Sequence, residues 1–305
     1  MSFANTSFTA CPVCQSNDVS SLLQVKDYSL TQEHFQIIEC DNCSMRFTNP
    51  IPSLEEIAPY YDFPDYISHT DSTKGWMHQL YHKVRNHTLT QKTNWIQSLF
   101  TGYKGQILEI GAGTGAFANA MQNKGWKVTA LEPDEASRKR AMQNYGLQLL
   151  PSDTLFNLPE NTFDVITLWH VLEHVHALKP YVQSFKKLLK PNGRLIIAVP
   201  NYNSFDATFY KQFWAAYDVP RHLYHFAPPS MRYLMKKQGL EVIDIKPMWF
   251  DSFYVGLLSE KYKKSGKIGI IRAFMVGLWS NLKAVKNNEK GSSLVYTIRK
   301  QRDLI

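Results

Sequence analysis

The stretch Gln106-Ile107-Leu108-Glu109-Ile110-Gly111-Ala112-Gly113-Thr114-Gly115-Ala116-Phe117 decides the fold of this chain. Ile107 to Ile110 is a short apolar run carrying one acid and predicts a strand; Gly111 to Gly115 is a glycine-rich turn; a helix opens near Ala116. Glycines are needed where the backbone turns sharply and a ligand lies against it, because a Cβ would exclude both. Gly111, Gly113 and Ala116 also satisfy the looser dinucleotide fingerprint. Glu109 speaks against that ligand. A carboxylate at the end of the strand repels a pyrophosphate and suits a molecule with a cationic amino-acid end.

Working outward, Lys127–Leu131 predicts a second strand ending at Glu132, seventeen residues beyond Gly115. An acid at that place accepts hydrogen bonds from both hydroxyls of a ribose, or serves only as the first-turn acid of the next helix. Pro133 beside it offers a flat apolar neighbour for adenine. Leu147–Leu150 predicts a third strand, stopped by Pro151, which has no backbone donor. Thr162–Trp169, Arg194–Val199, Leu240–Ile245 and Ser293–Ile298 supply four more, with helical stretches between.

Leu108 to Gly115, LEIGAGTG, resembles the first motif of the class I S-adenosylmethionine-dependent methyltransferases. Phe163 to Val175, FDVITLWHVLEHV, is similar to their fourth-strand motif. The resemblance covers about residues 100–300 and implies an α/β, Rossmann-like, doubly wound sheet of seven mostly parallel strands, the last antiparallel. It implies S-adenosylmethionine as cofactor, held by Glu109, Gly111, Ala112, Gly113, Gly115, Glu132, Pro133, Asp153, Trp169 and His170. Asp153, in the turn after the third strand, is either the adenine contact or a helix N-cap.

Methyl transfer is an in-line displacement at a sulfonium carbon, for which the protein chiefly supplies alignment. A hydroxyl acceptor also needs a base, and histidine has the fitting unperturbed pKa. His170 is the first candidate for that base, a cofactor-lining role being its alternative; His174, four residues on, shares its face on a helical turn. Phe213 to Phe226 is dense in aromatics and histidines and resembles the family's substrate-facing segment. There Arg221 could hold an anionic group of the acceptor and His222 or His225 could act as base; otherwise the segment is a hydrogen-bonded packing loop. The acceptor implied is a small molecule: a sugar, a lipid-linked intermediate or a quinone-like ring.

Ahead of this domain, Cys11-Pro12-Val13-Cys14 and Cys40-Asp41-Asn42-Cys43 form two CxxC pairs with no cysteine left over. Four thiolates on two facing turns close a tetrahedron around Zn²⁺, with no open position for a water or substrate, so the metal is structural. Phe35–Cys40 and Met45–Phe47 predict strands entering and leaving the second turn, and the whole resembles a zinc ribbon. The expected organisation is a zinc-ribbon-like module over 1–50, a helical linker or lid over 51–100, and the catalytic domain over 101–305 with a helical insertion near 252–288. Tyr60 to Tyr66 is an aromatic and acidic cluster that either packs between modules or closes over the cofactor. The spaced apolar positions Trp76, Leu80, Tyr81, Val84, Leu89, Trp95, Ile96 and Leu99 suit one or two amphipathic helices.

The 305 residues carry 34 Lys and Arg against 26 Asp and Glu, a formal charge of +8. The basic residues are scattered, which disfavours nucleic acid as a partner. The N-terminus has no secretory pattern and no run of eighteen apolar residues exists, so the expectation is a cytoplasmic protein without a transmembrane segment. Ile268, Ile271, Met275, Leu278, Leu282 and Val285 fall at steps of three and four among lysines and predict an amphipathic helix that packs on the sheet, meets a second copy, or touches a membrane surface. Two other functions compete with methyl transfer. One is an inactive cofactor-binding adaptor that uses the zinc module to bind protein or nucleic acid; the other is a nicotinamide-dependent oxidoreductase.

Overall fold

A computed structural model describes residues 5–61, 76–100 and 102–301. In chain order the strands are β1 (Asn5–Thr6), β2 (Val19–Lys26), β3 (His34–Cys40), β4 (Arg46–Asn49), β5 (Ile51–Pro52), β6 (Gln106–Ile110), β7 (Lys127–Leu131), β8 (Phe163–Trp169), β9 (Leu189–Pro200), β10 (Tyr224–His225), β11 (Leu240–Pro247) and β12 (Ser293–Lys300). The α-helices are α1 (Trp76–Ser98), α2 (Ala116–Asn123), α3 (Glu135–Tyr145), α4 (Leu178–Leu188), α5 (Phe205–Tyr210), α6 (Pro228–Lys237), α7 (Asp251–Tyr262) and α8 (Gly266–Lys286). Residues 62–66 of the aromatic and acidic cluster, and the side chains of Trp76, Leu80, Tyr81 and Val84, lie outside the described residues.

A mixed six-stranded sheet runs in the order β11-β12-β9-β8-β6-β7. β6 pairs in parallel with β7 on one side and β8 on the other, while β11 and β12 are antiparallel. The order reverses at β6, and ligands of open α/β sheets bind beyond the carboxyl ends of strands at such a reversal. The fold is therefore the Rossmann-like α/β arrangement, with one correction. The sheet has six strands and not seven, because Leu147–Leu150 contributes a single parallel bridge, Leu150 to Leu131. Leu150 donates to the Ala130 carbonyl and accepts from the Glu132 N–H, both at 2.9 Å. On one side Gly146 ends α3 in the left-handed conformation (φ 66°), and on the other Pro151 leads into a 3₁₀ turn over Ser152–Asn157. Too few residues remain between these two stops to extend the ladder.

The chain divides into two compact units. One comprises Asp65–Trp169 and Ser184–Ile196; its core is the largely apolar interior of β6, β8 and the middle of β9, where Leu108, Val165, Ile166, Leu168, Leu195 and Ile196 are fully buried. Strands covered on both faces require such largely apolar sequences, and in β6 and β8 Glu109, Asp164 and Thr167 are the buried polar exceptions. The other comprises Met1–Pro64, His170–Gln183 and Ile197–Ile305. It contains a four-stranded sheet in the order β10-β4-β3-β2, so the histidine-rich segment adds a strand to the cysteine module, Tyr224 opposite Phe47 and His225 opposite Arg46.

In this second unit the insertion before β12 is a pair of helices, α7 and α8. The side chains of α8 that are buried are the small ones, Gly269, Ala273, Val276, Gly277, Ser280 and Ala284. The predicted apolar stripe of Ile268, Ile271, Met275, Leu278, Leu282 and Val285 is exposed throughout. Packing of that stripe on the sheet is thus corrected, and the reason is steric. A Cβ on Gly256 of α7 would stand 3.1 Å from the Ala273 carbonyl oxygen, and one on Gly277 would stand 2.7 Å from the Phe253 ring. Helices this close admit only small side chains between them, which turns the large ones outward.

Candidate functional site

In the first unit, the glycine turn hangs from β7: the N–H groups of Gly111 and Ala112 both donate to the Leu131 carbonyl, at 2.8 and 3.0 Å. Gly113 has φ 54°, and a Cβ built on it would meet nothing within 4 Å, so the turn presents an open backbone face. Gly115, φ 82°, sits where α2 begins; a Cβ there would press on Ala141 at 3.0 Å. Helix packing constrains Gly115, whereas the open face at Gly113 leaves room for a ligand.

Glu132 is buried, and its carboxylate is pinned by two backbone donors, Gly113 N–H to Oε2 at 2.7 Å and Asp134 N–H to Oε1 at 3.0 Å. A carboxylate oxygen accepts up to two hydrogen bonds. Glu109 is also buried, and its Oε2 has no hydrogen-bond partner. Burial pushes its carboxyl up to about 8, Lys92 pulling the other way and Glu132 adding to the rise. A buried carboxylate with one oxygen left unbonded is costly unless something cationic meets it, so Glu109 fits the charged end of an amino-acid-bearing cofactor. Trp169 closes β8 with its Nε1 buried and unpartnered; Phe117 meets its ring edge-on at 5.5 Å and Lys92 Nζ stands 4.1 Å from its centre. Pro133 and Asp153 are exposed.

In the second unit, His170 follows β8 directly in a left-handed conformation, φ 56°, with its N–H bonded to the Ala198 carbonyl at 2.9 Å. Positive φ is uncommon for a residue other than glycine, although histidine adopts it more readily than most. Its ring lies between two carboxylates: Nδ1 is 3.4 Å from Glu173 and Nε2 is 3.2 Å from Asp251. Burial works against the imidazolium, but the two acids outweigh it and raise His170 to about 9. Glu173 is fully buried, and neither of its side-chain oxygens has a hydrogen bond of good geometry.

His174 is held down to about 4, by burial first and then by His222. Its Nδ1 lies 3.0 Å from both the Arg221 carbonyl and the Tyr61 hydroxyl. The carbonyl can only accept, so this nitrogen carries the hydrogen. His222 Nδ1 likewise donates to the Ala216 carbonyl at 2.9 Å. One donor atom each from Glu173, His174 and His222 lie within 4.8 Å of one another, a set that could hold a divalent cation.

Residues 78–245 match the family described as a methyltransferase domain, more than half of the chain. The chain belongs to that family. It is an S-adenosylmethionine-dependent methyltransferase by class, and the matched domain leaves no support for a nicotinamide oxidoreductase. The methyltransferase is 28% identical to the ubiquinone biosynthesis O-methyltransferase of Idiomarina loihiensis over 59% of this chain and 78% of that one. It is 35% identical to the enzyme of the same name from Actinobacillus pleuropneumoniae over 36% of this chain, spanning about half (52%) of that relative. Among solved structures, magnesium protoporphyrin IX methyltransferase from Synechocystis PCC 6803 with bound SAH has a similar fold: TM-score 0.51, 12% identity, 80% of this chain and 98% of that one.

Elsewhere in the methyltransferase the four cysteines converge. Cys11 and Cys43 sulfurs are 3.5 Å apart, as are those of Cys14 and Cys40, and all four lie within 4.8 Å of one another. Two ligands of a tetrahedral zinc with Zn–S of ~2.3 Å would be separated by about 3.8 Å, so the donor set suits that ion. The two knuckles are alike. Gln15 N–H bonds the Cys11 carbonyl and Ser44 N–H the Cys40 carbonyl, each at 2.9 Å, and Gln15 and Ser44 both take positive φ.

Arg221 departs from its expected place beside an anionic acceptor. It is fully buried, donating to Asp27 at 2.9 Å, to Asp218 at 2.7 Å and to the Tyr60 carbonyl at 3.1 Å, and these acids hold its pKa above the usual range against the opposing effect of burial. It is a structural tie and not a free anion clamp. His225 is buried with Nε2 3.0 Å from the Thr48 hydroxyl; that hydroxyl spends its hydrogen on the His222 carbonyl at 2.7 Å, so His225 is the donor. Burial holds His225 well below the usual histidine range. Lys92 and Asp251 escaped the sequence reading. Nothing marks either but its charge, and Asp251 lies eighty-one positions from the histidine it meets.

Proposed function

We propose that this methyltransferase transfers a methyl group from S-adenosylmethionine to a ring hydroxyl of a quinone-like small molecule. S-adenosylmethionine supplies an electrophilic methyl on a positively charged sulfur. The glycine turn with Glu109 and Glu132 holds the cofactor: Glu132 takes the ribose hydroxyls and Glu109 faces the amino group, while Trp169 and His170 border it and Asp153 and Pro133 frame the adenine. Once deprotonated, His170 would take the proton of the acceptor hydroxyl at the ring nitrogen that otherwise faces Asp251, and Glu173 and Asp251 would stabilise the resulting imidazolium. The cysteine module over residues 1–50 binds a structural zinc.

The observation that carries this reading is His170 held between two acids. A base near 9 is well matched to a phenolic hydroxyl at ~10, and poorly matched to the far less acidic hydroxyl of a sugar. The names of the curated relatives point to the same class of acceptor. The test is release of S-adenosylhomocysteine from the cofactor in the presence of catechol- and hydroquinone-type rings, sugars and amines. Turnover on the ring hydroxyls, lost by a factor of about 10²–10⁴ in His170→Ala, is expected. Turnover confined to sugars or amines would overturn the assignment.

A further inference from the structure

Among the described residues, none covers the outward face of α8. Ile268 is 73% exposed, Ile271 68%, Phe274 and Met275 60% each, Trp279 50% and Leu282 47%. Contiguous apolar surface on this scale is unusual for a protein that meets only water. The rim is charged with one sign: from Lys261 to Lys286 the chain has seven basic residues, at 261, 263, 264, 267, 272, 283 and 286, and no acidic one. Arg272 pairs with Glu260, while Lys263, Lys264, Lys267, Lys283 and Lys286 are exposed.

We infer that α8 docks this unit on an anionic lipid surface, its large apolar side chains entering the acyl boundary and its lysines meeting the headgroups. Three observations select this occupant. The face combines aliphatic and aromatic side chains with a wholly basic border, the composition of helices that lie in the membrane interface. A second copy docked face to face would bring two lysine rims together, whereas anionic headgroups complement them. Spanning is also disfavoured. At 21 residues the helix is long and apolar enough to cross a bilayer, yet its inner side is built into the protein. Ser280 donates to the buried Asp206 at 2.7 Å, and Gly269, Ala273 and Gly277 are closed against α7. Only the outer half of the helix is available, so it lies along the surface. None of this depends on the acceptor proposed above.

The test is flotation of the full chain with vesicles of phosphatidylcholine alone and of phosphatidylcholine mixed with phosphatidylglycerol. The chain is expected to partition at least ten-fold more strongly to the anionic vesicles and to be released by high salt. The double variant Ile271→Glu with Phe274→Glu should lose at least ten-fold in partitioning. Lys264→Gln with Lys267→Gln should lose about five-fold per lysine, the factor equivalent to ~1 kcal/mol for each basic residue at such a surface. All four positions are exposed, so both variants should keep the wild-type melting temperature; should the glutamate pair fail to fold, the lysine pair and the salt dependence still decide. Absence of binding to either vesicle, or binding unchanged in both variants, overturns the inference. So does a wild-type dimer that the glutamate pair converts to monomer without any loss of vesicle binding, because a second copy would then cover the face.

Discussion

Replacing Glu132 by alanine separates two roles that its geometry combines. In the free protein the carboxylate accepts from Gly113 and Asp134, at 2.7 and 3.0 Å. Both donors border an open turn where water can replace the lost acceptor, so the cost to stability should stay within ~1.5–3 kcal/mol, the range for hydrogen bonds to a charged group. The same carboxylate is the group proposed for the ribose hydroxyls. Losing that interaction removes a further ~1.5–3 kcal/mol from cofactor binding, which raises Kd by about ten- to one-hundred-and-fifty-fold. Glu132→Gln keeps the shape and one acceptor, and should fall between alanine and wild type. The assay is calorimetric titration with S-adenosylmethionine and S-adenosylhomocysteine beside a thermal melt of each unliganded variant. If the melt drops while Kd stays within about two-fold, Glu132 merely ties the loop to β7 and the cofactor assignment fails.

Because Asp251 and Glu173 raise His170 to about 9, a base role requires kcat/KM to climb with pH up to that value, and Asp251→Asn should move the rising limb to lower pH; a limb that does not move refutes the role. Glu109, raised to about 8 by burial, carries its proton at pH 7, and a cationic ligand would favour the ionised form. Cofactor binding below pH 8 should therefore release a proton, seen as a binding enthalpy that varies with buffer and loses that component in Glu109→Gln; equal behaviour of wild type and variant would clear Glu109 of any part. Arg221→Met should lower the free energy of unfolding by about 3–5 kcal/mol in urea, since it strands Asp27 and Asp218; unchanged stability with a raised KM would restore Arg221 as an acceptor clamp. Native mass spectrometry should find one zinc per chain, lost with the fold of the N-terminal module on chelation or in Cys11→Ser; a metal-free chain with that module intact would exclude the site.

What could be read from the chain alone was local. LEIGAGTG states its own strand, turn and helix because side-chain-poor residues are needed where backbone bends and where a ligand approaches, and Glu132 and the two CxxC pairs lie at distances along the chain that their chemistry sets. The third strand misled because its apolar run is real, but the stops at Gly146 and Pro151 leave it one residue of ladder. The periodicity of α8 gave the helix and left its partner open: a helical stripe of large apolar residues says that one face is apolar, not which neighbour it meets.

Sequence by itself determined the family fold, the glycine turn with its two acids, and the four-cysteine set, each written in neighbouring residues or in fixed spacings. Tertiary structure alone decided that Asp251 clamps His170, that Arg221 is spent on Asp27 and Asp218, and that α8 turns its small residues inward. Those three depend on which distant side chains meet, and on how closely two helices can approach. Short-range steric and hydrogen-bonding preferences do not encode either.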